Sequence, residues 1–231
     1  MNARKDLDVD SGFVAGTLVH TKEGLVPIEQ IKVGDWVLSK HESGQGEREY
    51  KRVTKTFVHD DEKVMAMVYG DRLPEGGFWG GVLFVTGSHP IGVEGKGWIE
   101  AQKMLASAKQ TKYPLSLLNE RAAFPWESVK TYLTRDKHRA WIPRGHSPYA
   151  LQREGFVFDF EVMDYLYESG SPSEKVERMW HRFNDLAIDI PTWRHQFKTR
   201  VYNIEVEDFH TYYVGEHGVW VHNKNPLDQS Y

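Results

Sequence analysis

Short runs of β-branched and aromatic residues, separated by turn signals, dominate the first ninety residues of the chain. The runs with this strand-like pattern lie at 13–21, 36–38, 52–59, 63–69 and 82–86. Polar or glycine-containing stretches lie between them, at Lys22-Glu23-Gly24, Gly34-Asp35, 41–49 and 73–81. Glycine and polar clusters of this kind mark turns and loops. Many short strands at such spacing predict a mostly β fold.

The middle of the chain has a different period. Residues 101–108 and 173–188 repeat their apolar positions at helical spacing, and Ser171-Pro172-Ser173-Glu174 supplies a helix start for the second segment. We interpret the aromatic residues of this helix as core packing. Strand-like residues return from Arg200 onward. The pattern therefore predicts two β halves with an α-containing segment between them.

Composition narrows the classes of function. The net charge is −4 with both signs interspersed, which gives no electrostatic case for nucleic-acid or membrane binding. No run approaches the roughly 18 apolar residues of a membrane-spanning helix, and Met1–Asp6 lacks the apolar segment of a signal peptide. The chain contains no cysteine, so disulfides, thiolate metal sites and a cysteine nucleophile are excluded.

Four segments, taken in order, carry a family resemblance. They are Gly12-Phe13-Val14-Ala15-Gly16-Thr17 with its continuation to Leu38, Thr86-Gly87-Ser88-His89-Pro90, Gly97-Trp98-Ile99-Glu100-Ala101, and Val201 through Val219-Trp220-Val221-His222-Asn223. Each alone is weak, since short motifs recur by chance. Together they resemble the Hint domains shared by inteins and hedgehog proteins, especially those of bacterial polymorphic toxins. The resemblance covers 12–104 and 200–223 and implies a Hint-type β fold with 105–199 as an insertion.

The resemblance implies that the first block attacks its own upstream carbonyl. Such a step needs a nucleophile, a donor to the departing nitrogen and an oxyanion stabiliser. In the family a Cys or Ser attacks, and Thr86 and His89 match the positions of the two supporting groups. Gly12 stands at the nucleophile position and cannot attack, while Ser11 lies one residue too early and is interpreted as a linker hydroxyl. Either the natural domain has lost this step, or the nucleophile was removed deliberately.

The closing block implies a second reaction, at the C-terminal junction. There an Asn side-chain amide closes a succinimide on its own carbonyl and expels the following amine. Asn223 has this place, with His222 as a donor and His210 as a candidate acid or base, since imidazole titrates near neutrality. Ordinary splicing also needs Cys, Ser or Thr after the Asn, and Lys224 stands there. Cleavage between Asn223 and Lys224 is therefore the reaction expected.

This interpretation divides the chain into an upstream linker at 1–11, a Hint-like domain at 12–223 and the stub of a downstream segment at 224–231. The activity would be an intein-like, single-turnover autoproteolysis without cofactor or metal. The implied partners are the flanking segments themselves, a downstream toxin and its immunity protein. The resemblance also implies that the chain belongs to a larger secreted or delivered bacterial effector.

Two alternatives stay open at this point. The insertion could hold a metal-dependent hydrolase site, with candidate ligands at His138, His146, His181, His195, Asp159, Glu161 and Asp164. No pair of these histidines has metalloprotease spacing. The domain could also be a catalytically decayed Hint scaffold that serves as an interaction module, which Gly12 favours and the intact His210, His222 and Asn223 oppose.

Overall fold

The computed structural model describes residues 11–76, 78–107, 113–119, 121–133, 139–143, 155–160 and 196–223. Strands dominate these ranges, so the mostly β fold predicted from the sequence is confirmed. The helix predicted over 173–188 lies outside the described residues. None of the helices in the described part of the chain is long and apolar enough to cross a membrane.

Eight strands and two 3-10 helices make up the first half. The strands are β1 (Phe13–Val14), β2 (Leu18–Thr21), β3 (Gly24–Pro27), β4 (Trp36–Lys40), β5 (Arg48–Arg72), β6 (Phe78–Thr86), β7 (Pro90–Val93) and β8 (Gly97–Glu100). The 3-10 helices span Ile28–Gln30 and Ala101–Ser107.

The second half contributes seven more strands. They are β9 (Phe124–Lys130), β10 (Tyr132–Leu133), β11 (Arg139–Pro143), β12 (Gly155–Asp159), β13 (Lys198–Val206), β14 (Thr211–Val214) and β15 (Val219–His222). The described residues of the predicted insertion thus include strands, and β10, β11 and β12 form a small sheet of their own.

The long strand β5 organises the large sheet by changing partners along its length. Its first residues pair with β4, its middle pairs with β13, and its last third pairs with β6 and β9, all antiparallel. The order through the sheet is β13-β1-β6-β5-β4-β2-β14-β15-β7-β8. Because β1 and β13 pair with each other and β15 follows β14, the two ends of the Hint-like segment come close together.

Apolar strands from both halves share one core. Every residue of β7, β14 and β15 is buried, as continuous apolar runs predict. Their side chains pack with those of β1, β5 and β6 in a cluster that includes Phe13, Met67, Val85, Ile91, Tyr212 and Val221. The core therefore contains residues from both ends of the Hint-like segment.

Three elements differ from the sequence prediction. Segments 52–59 and 63–69 belong to one strand, and the loop predicted at 73–81 ends earlier, because Phe78 to Gly81 already pair with β5. The glycines of this segment led to the wrong prediction of a loop. An added Cβ at Gly81 would lie 2.7 Å from the Tyr69 hydroxyl, so the glycine makes room for that ring. The predicted helix at 101–108 forms a 3-10 helix over Ala101–Ser107, a tighter form that is common in short connectors.

The turn that joins β14 to β15 gives a test of the fold. Gly218 has φ +66°, and an added Cβ would overlap the Cβ of Leu118. A left-handed alanine costs about 1–2 kcal/mol, and overpacking adds about 1–3 kcal/mol. We expect Gly218→Ala to lower the free energy of unfolding by both contributions, measured by urea denaturation. Gly46→Ala is the matched control, with φ +79° and open space around it, and should show the backbone contribution alone. Equal losses in the two variants would contradict the packing at Leu118.

Candidate functional site

Gly12 and Thr86 hold the N-terminal junction, which is the peptide bond between Ser11 and Gly12, between two strands. The Gly12 amide donates to Thr86 Oγ1 at 3.0 Å, and the Thr86 amide donates back to the Gly12 carbonyl at 3.0 Å. This reciprocal pair continues the pairing of β1 with β6, in which Phe13 faces Val85. Thr86 is buried, so its hydroxyl contacts the junction nitrogen away from solvent. A group in this position can interact with the nitrogen that would depart.

Gly12 also leaves no room for a side chain. An ideal Cβ at this position would lie 2.6 Å from the carbonyl oxygen of Tyr202, on the paired strand β13. A contact with a backbone atom cannot be relieved by a side-chain rotation. A nucleophile at position 12 therefore requires β1 and β13 to move apart.

His89 lies beneath the junction, fully buried against Phe13 with the ring centroids 4.4 Å apart. Neither ring nitrogen has a hydrogen-bond partner among the described residues. Burial and, to a smaller extent, the nearby His222 lower the pKa of His89 from 6.5 to about 3. The imidazole is therefore neutral at physiological pH, with one nitrogen able to donate and the other to accept.

Asn223 forms the C-terminal junction at the end of β15. Its backbone amide donates to the His210 carbonyl at 2.9 Å, and its own carbonyl accepts from Asn203 Nδ2 at 3.0 Å. The residue is buried, but its side-chain Nδ2 and Oδ1 have no hydrogen-bond partner among the described residues. The backbone is thus fixed on both sides while the side-chain amide is not engaged.

Two histidines flank this junction, each bound to a carboxylate. His222 Nε2 lies 2.8 Å from Glu42 Oε2, and His210 Nδ1 lies 2.6 Å from Glu205 Oε1. Since a carboxylate accepts, each of these nitrogens carries the hydrogen of its bond. The two rings are stacked with centroids 6.4 Å apart.

The backbone at His210 is unusual. Its φ is +56°, a left-handed conformation that non-glycine residues rarely adopt. This conformation places the His210 carbonyl on the Asn223 amide and its ring beside His222. Strained backbone of this kind concentrates at functional sites.

Asn203, on β13, contacts both junctions with one side chain. Its Nδ2 donates to the Ser11 carbonyl at 3.1 Å and to the Asn223 carbonyl at 3.0 Å. It also lies 3.2 Å from Ser11 Oγ. Ser11, interpreted from the sequence as a linker hydroxyl, is in fact buried at this site.

The structure thus brings Gly12, Thr86, His89, His210, His222 and Asn223 into one region, where their roles remain predictions. Sequence reasoning missed Asn203 and Glu42. Asn203 lies in the fourth motif segment, which starts at Val201, and its position on a strand beside two buried β segments is the signal that could have found it. Glu42 lies in the stretch interpreted as a surface loop, and the sequence carries no signal for its contact with His222.

The described residues contain no group of three or more His, Cys, Asp or Glu that could hold a metal ion. Asp159 ends β12, whereas His138, His146, His181, His195, Glu161 and Asp164 lie outside the described residues.

Comparisons with known proteins agree with this fold. A family model described as the pretoxin HINT domain matches residues 18–113. Among solved structures, a bacterial intein-like domain from Clostridium thermocellum aligns with a TM-score of 0.50 at 24% identity, over 92% of this chain and 98% of that one. No curated protein matches the chain.

Two inteins align less closely. The gp41-1 intein has a TM-score of 0.46 at 15% identity, over 92% of this chain and 98% of its own. A DnaB intein from Synechocystis has a TM-score of 0.43 at 11% identity, over 93% and 99%.

The described strands have the fold of an intein-like domain. The match of residues 18–113 to the pretoxin HINT family model supports a Hint-type autoprocessing domain.

Burial of neutral His89 predicts how stability depends on pH. Its folded pKa of about 3 lies below the unfolded value of 6.5, so its contribution is fully present above 6.5 and is lost as pH falls toward 3. We expect the free energy of unfolding to fall by up to about 1.4 kcal/mol per pH unit in this window. Urea denaturation between neutral pH and about pH 5 measures the slope. His89→Gln should flatten it, whereas His41→Gln, at an exposed position, should not. A slope unchanged by His89→Gln would contradict the assignment.

Proposed function

We propose that this domain cleaves its own backbone between Asn223 and Lys224 by asparagine cyclisation, and so releases the segment that follows. One observation carries the proposal: the buried Asn223 has its backbone amide and carbonyl held while its side-chain amide is not engaged by the described residues. A nucleophile that must turn onto its own carbonyl needs that combination of a fixed electrophile and an available amide.

The reaction closes a five-membered ring. Asn223 Nδ2 attacks the Asn223 carbonyl carbon, the bond from that carbon to the Lys224 nitrogen breaks, and a succinimide and a free amine result. The attacking nitrogen loses one proton, and the departing nitrogen gains one. The carbonyl oxygen carries negative charge in the intermediate, where a positioned donor stabilises it. Asn203 Nδ2 already donates to this oxygen at 3.0 Å.

The two flanking histidines are suited to the proton transfers. An amine leaves poorly unless it is protonated, and a positioned acid or base contributes about a hundred- to ten-thousand-fold. His222 and His210 each use one ring nitrogen to bind a carboxylate, Glu42 and Glu205 respectively. These contacts fix the orientation of both rings beside the junction. Either ring can then supply the proton to the departing amine.

The segment released would follow Asn223 in a longer protein. The family match is to pretoxin Hint domains, and this supports processing of flanking segments in cis. On this basis we propose that the released segment is a toxin, countered by an immunity protein, within a secreted or delivered bacterial effector.

Substitution of Asn223 tests the cyclisation. The chain is extended beyond Tyr231 so that the released segment is large, and intact mass is followed over time at neutral pH. We expect Asn223→Ala to abolish the product that ends at residue 223, because alanine has no amide to attack. His222→Ala should slow its formation by about a hundred- to ten-thousand-fold.

Asn119→Ala, at an exposed loop position, is the matched control and should cleave like the parent. A product ending at residue 223 that persists in Asn223→Ala would exclude cyclisation and point to a protease in the preparation.

The N-terminal junction gives a separate prediction. Gly12→Cys supplies a nucleophile, but its Cβ would lie 2.6 Å from the Tyr202 carbonyl oxygen. We therefore expect both release of residues 1–11 in the presence of a thiol, seen by mass, and a lower free energy of unfolding. Gly12→Ala has the same steric conflict without a thiol, so it should be destabilised equally and release nothing. No release from Gly12→Cys between about pH 6 and 9, where a thiol begins to ionise, would show that the junction has lost the reaction beyond position 12.

A further inference from the structure

We propose that the Asn203 side-chain amide is a catalytic donor shared by the two junctions, and that Tyr212 is the positioning residue that orients it. The inference rests on the proposed function, since it concerns the carbonyl that cyclisation would attack. Nδ2 of Asn203 lies 3.1 Å from the carbonyl oxygen of Ser11 and 3.0 Å from that of Asn223. These oxygens belong to the two peptide bonds at which Hint chemistry would occur. Ser11 lies 192 residues before Asn203 along the chain, and Asn223 lies 20 residues after it.

The amide can adopt only one orientation. Its Oδ1 accepts from the backbone amide of Ile204 at 2.9 Å, and an amide N–H can only donate. On the opposite side Nδ2 faces two carbonyl oxygens, which can only accept. A flip of the side chain would set donor against donor and acceptor against acceptor at once.

Tyr212 adds a second constraint on the same oxygen. Its hydroxyl lies 2.7 Å from Asn203 Oδ1, and the residue is completely buried. Burial raises the pKa of Tyr212 well above its ordinary value, so the hydroxyl stays protonated and donates. The hydroxyl of Tyr212 binds Asn203 rather than a junction carbonyl, so it acts through Asn203.

The two hydrogens of Nδ2 point toward Ser11, where the carbonyl and Oγ both accept, and toward the carbonyl of Asn223. As Asn223 cyclises, its carbonyl oxygen gains negative charge, and the hydrogen bond from Asn203 strengthens with that charge. The site is buried, so the bond forms away from water, where it is worth more than at the surface. No reorganisation of the donor is required, because Ile204 and Tyr212 already hold it.

Aspartate at position 203 tests the donor directly. Asn203→Asp keeps the shape but places a second acceptor against the two carbonyls when it is ionised. Removing one oxyanion donor lowers rates by about a hundred- to a thousand-fold. We expect cleavage after Asn223 in the tailed chain to fall by that factor at neutral pH and to recover as pH falls, because a protonated carboxyl donates again. Asn203→Ala should be slow at every pH, and Asn119→Asp, at an exposed asparagine, should match the parent.

Tyr212→Phe separates positioning from donation. The amide keeps its nitrogen but loses one of the two donors on its oxygen, so we expect a smaller loss of rate without recovery at acidic pH. If Asn203→Ala and Asn203→Asp cleave as fast as the parent, the donor role is wrong while the cyclisation proposal stands.

A readout independent of cleavage keeps the two proposals distinct. In Asn203→Asp, burial beside two carbonyl oxygens raises the folded pKa of the new carboxyl above its unfolded value of about 3.9. Stability relative to the parent is then greatest below that value and falls as pH rises through the folded pKa. Urea denaturation in the Asn223→Ala background, where no cleavage occurs, measures this. If stability follows this pH dependence but the parent chain is not cleaved, the proposed cyclisation is wrong and the contact of residue 203 with the two carbonyls stands. If stability does not change with pH in this way, the contact itself is wrong.

Discussion

The geometry of both junctions depends on the register of β13. This strand pairs with β1 on one side and with the middle of β5 on the other, and it carries Asn203 between them. A shift of one residue would turn every side chain of the strand to the opposite face. The Asn203 amide would then no longer face the carbonyls of Ser11 and Asn223, and these two carbonyls would lose the donor that they share. The buried core beneath β13 excludes such a shift.

Much of the fold follows from the local pattern because alternation and turn residues specify strands directly. The turns at Lys22-Glu23-Gly24 and Gly215–Gly218 form as predicted. The gap between the strand-like runs 52–59 and 63–69 also has a physical counterpart, since Asp61 has φ +62° and the pairing of β5 with β13 shifts there. It is a bulge inside one strand, though, because β13 pairs with β5 on both sides of it. Pairing partners are long-range, and the pattern of one segment cannot reveal them.

The same reasoning separates the site residues that could be predicted from those that could not. Thr86, His89 and His222 belong to motifs, and short motifs are visible in one dimension. Glu42 reaches His222 across 180 residues, and the anchor of its loop is a hydrogen bond from Trp98 Nε1 to the Glu42 carbonyl. Its contact depends on how a polar loop folds onto an aromatic surface. No periodicity or spacing within residues 41–49 encodes that event.

The two junctions of this domain are unequal, and the inequality has a physical consequence for the proposed cleavage. At the first, Gly12 has no nucleophile, and the Tyr202 carbonyl occupies the space that one would need. The Ser11 carbonyl is therefore a fixed hydrogen-bond acceptor, and it is not attacked by residue 12 while that residue is glycine. By accepting one hydrogen from Asn203, it helps to hold the amide in the orientation that directs the other hydrogen at Asn223. An N-terminal junction without its own chemistry can thus still serve the C-terminal one, as a structural ligand for the donor they share.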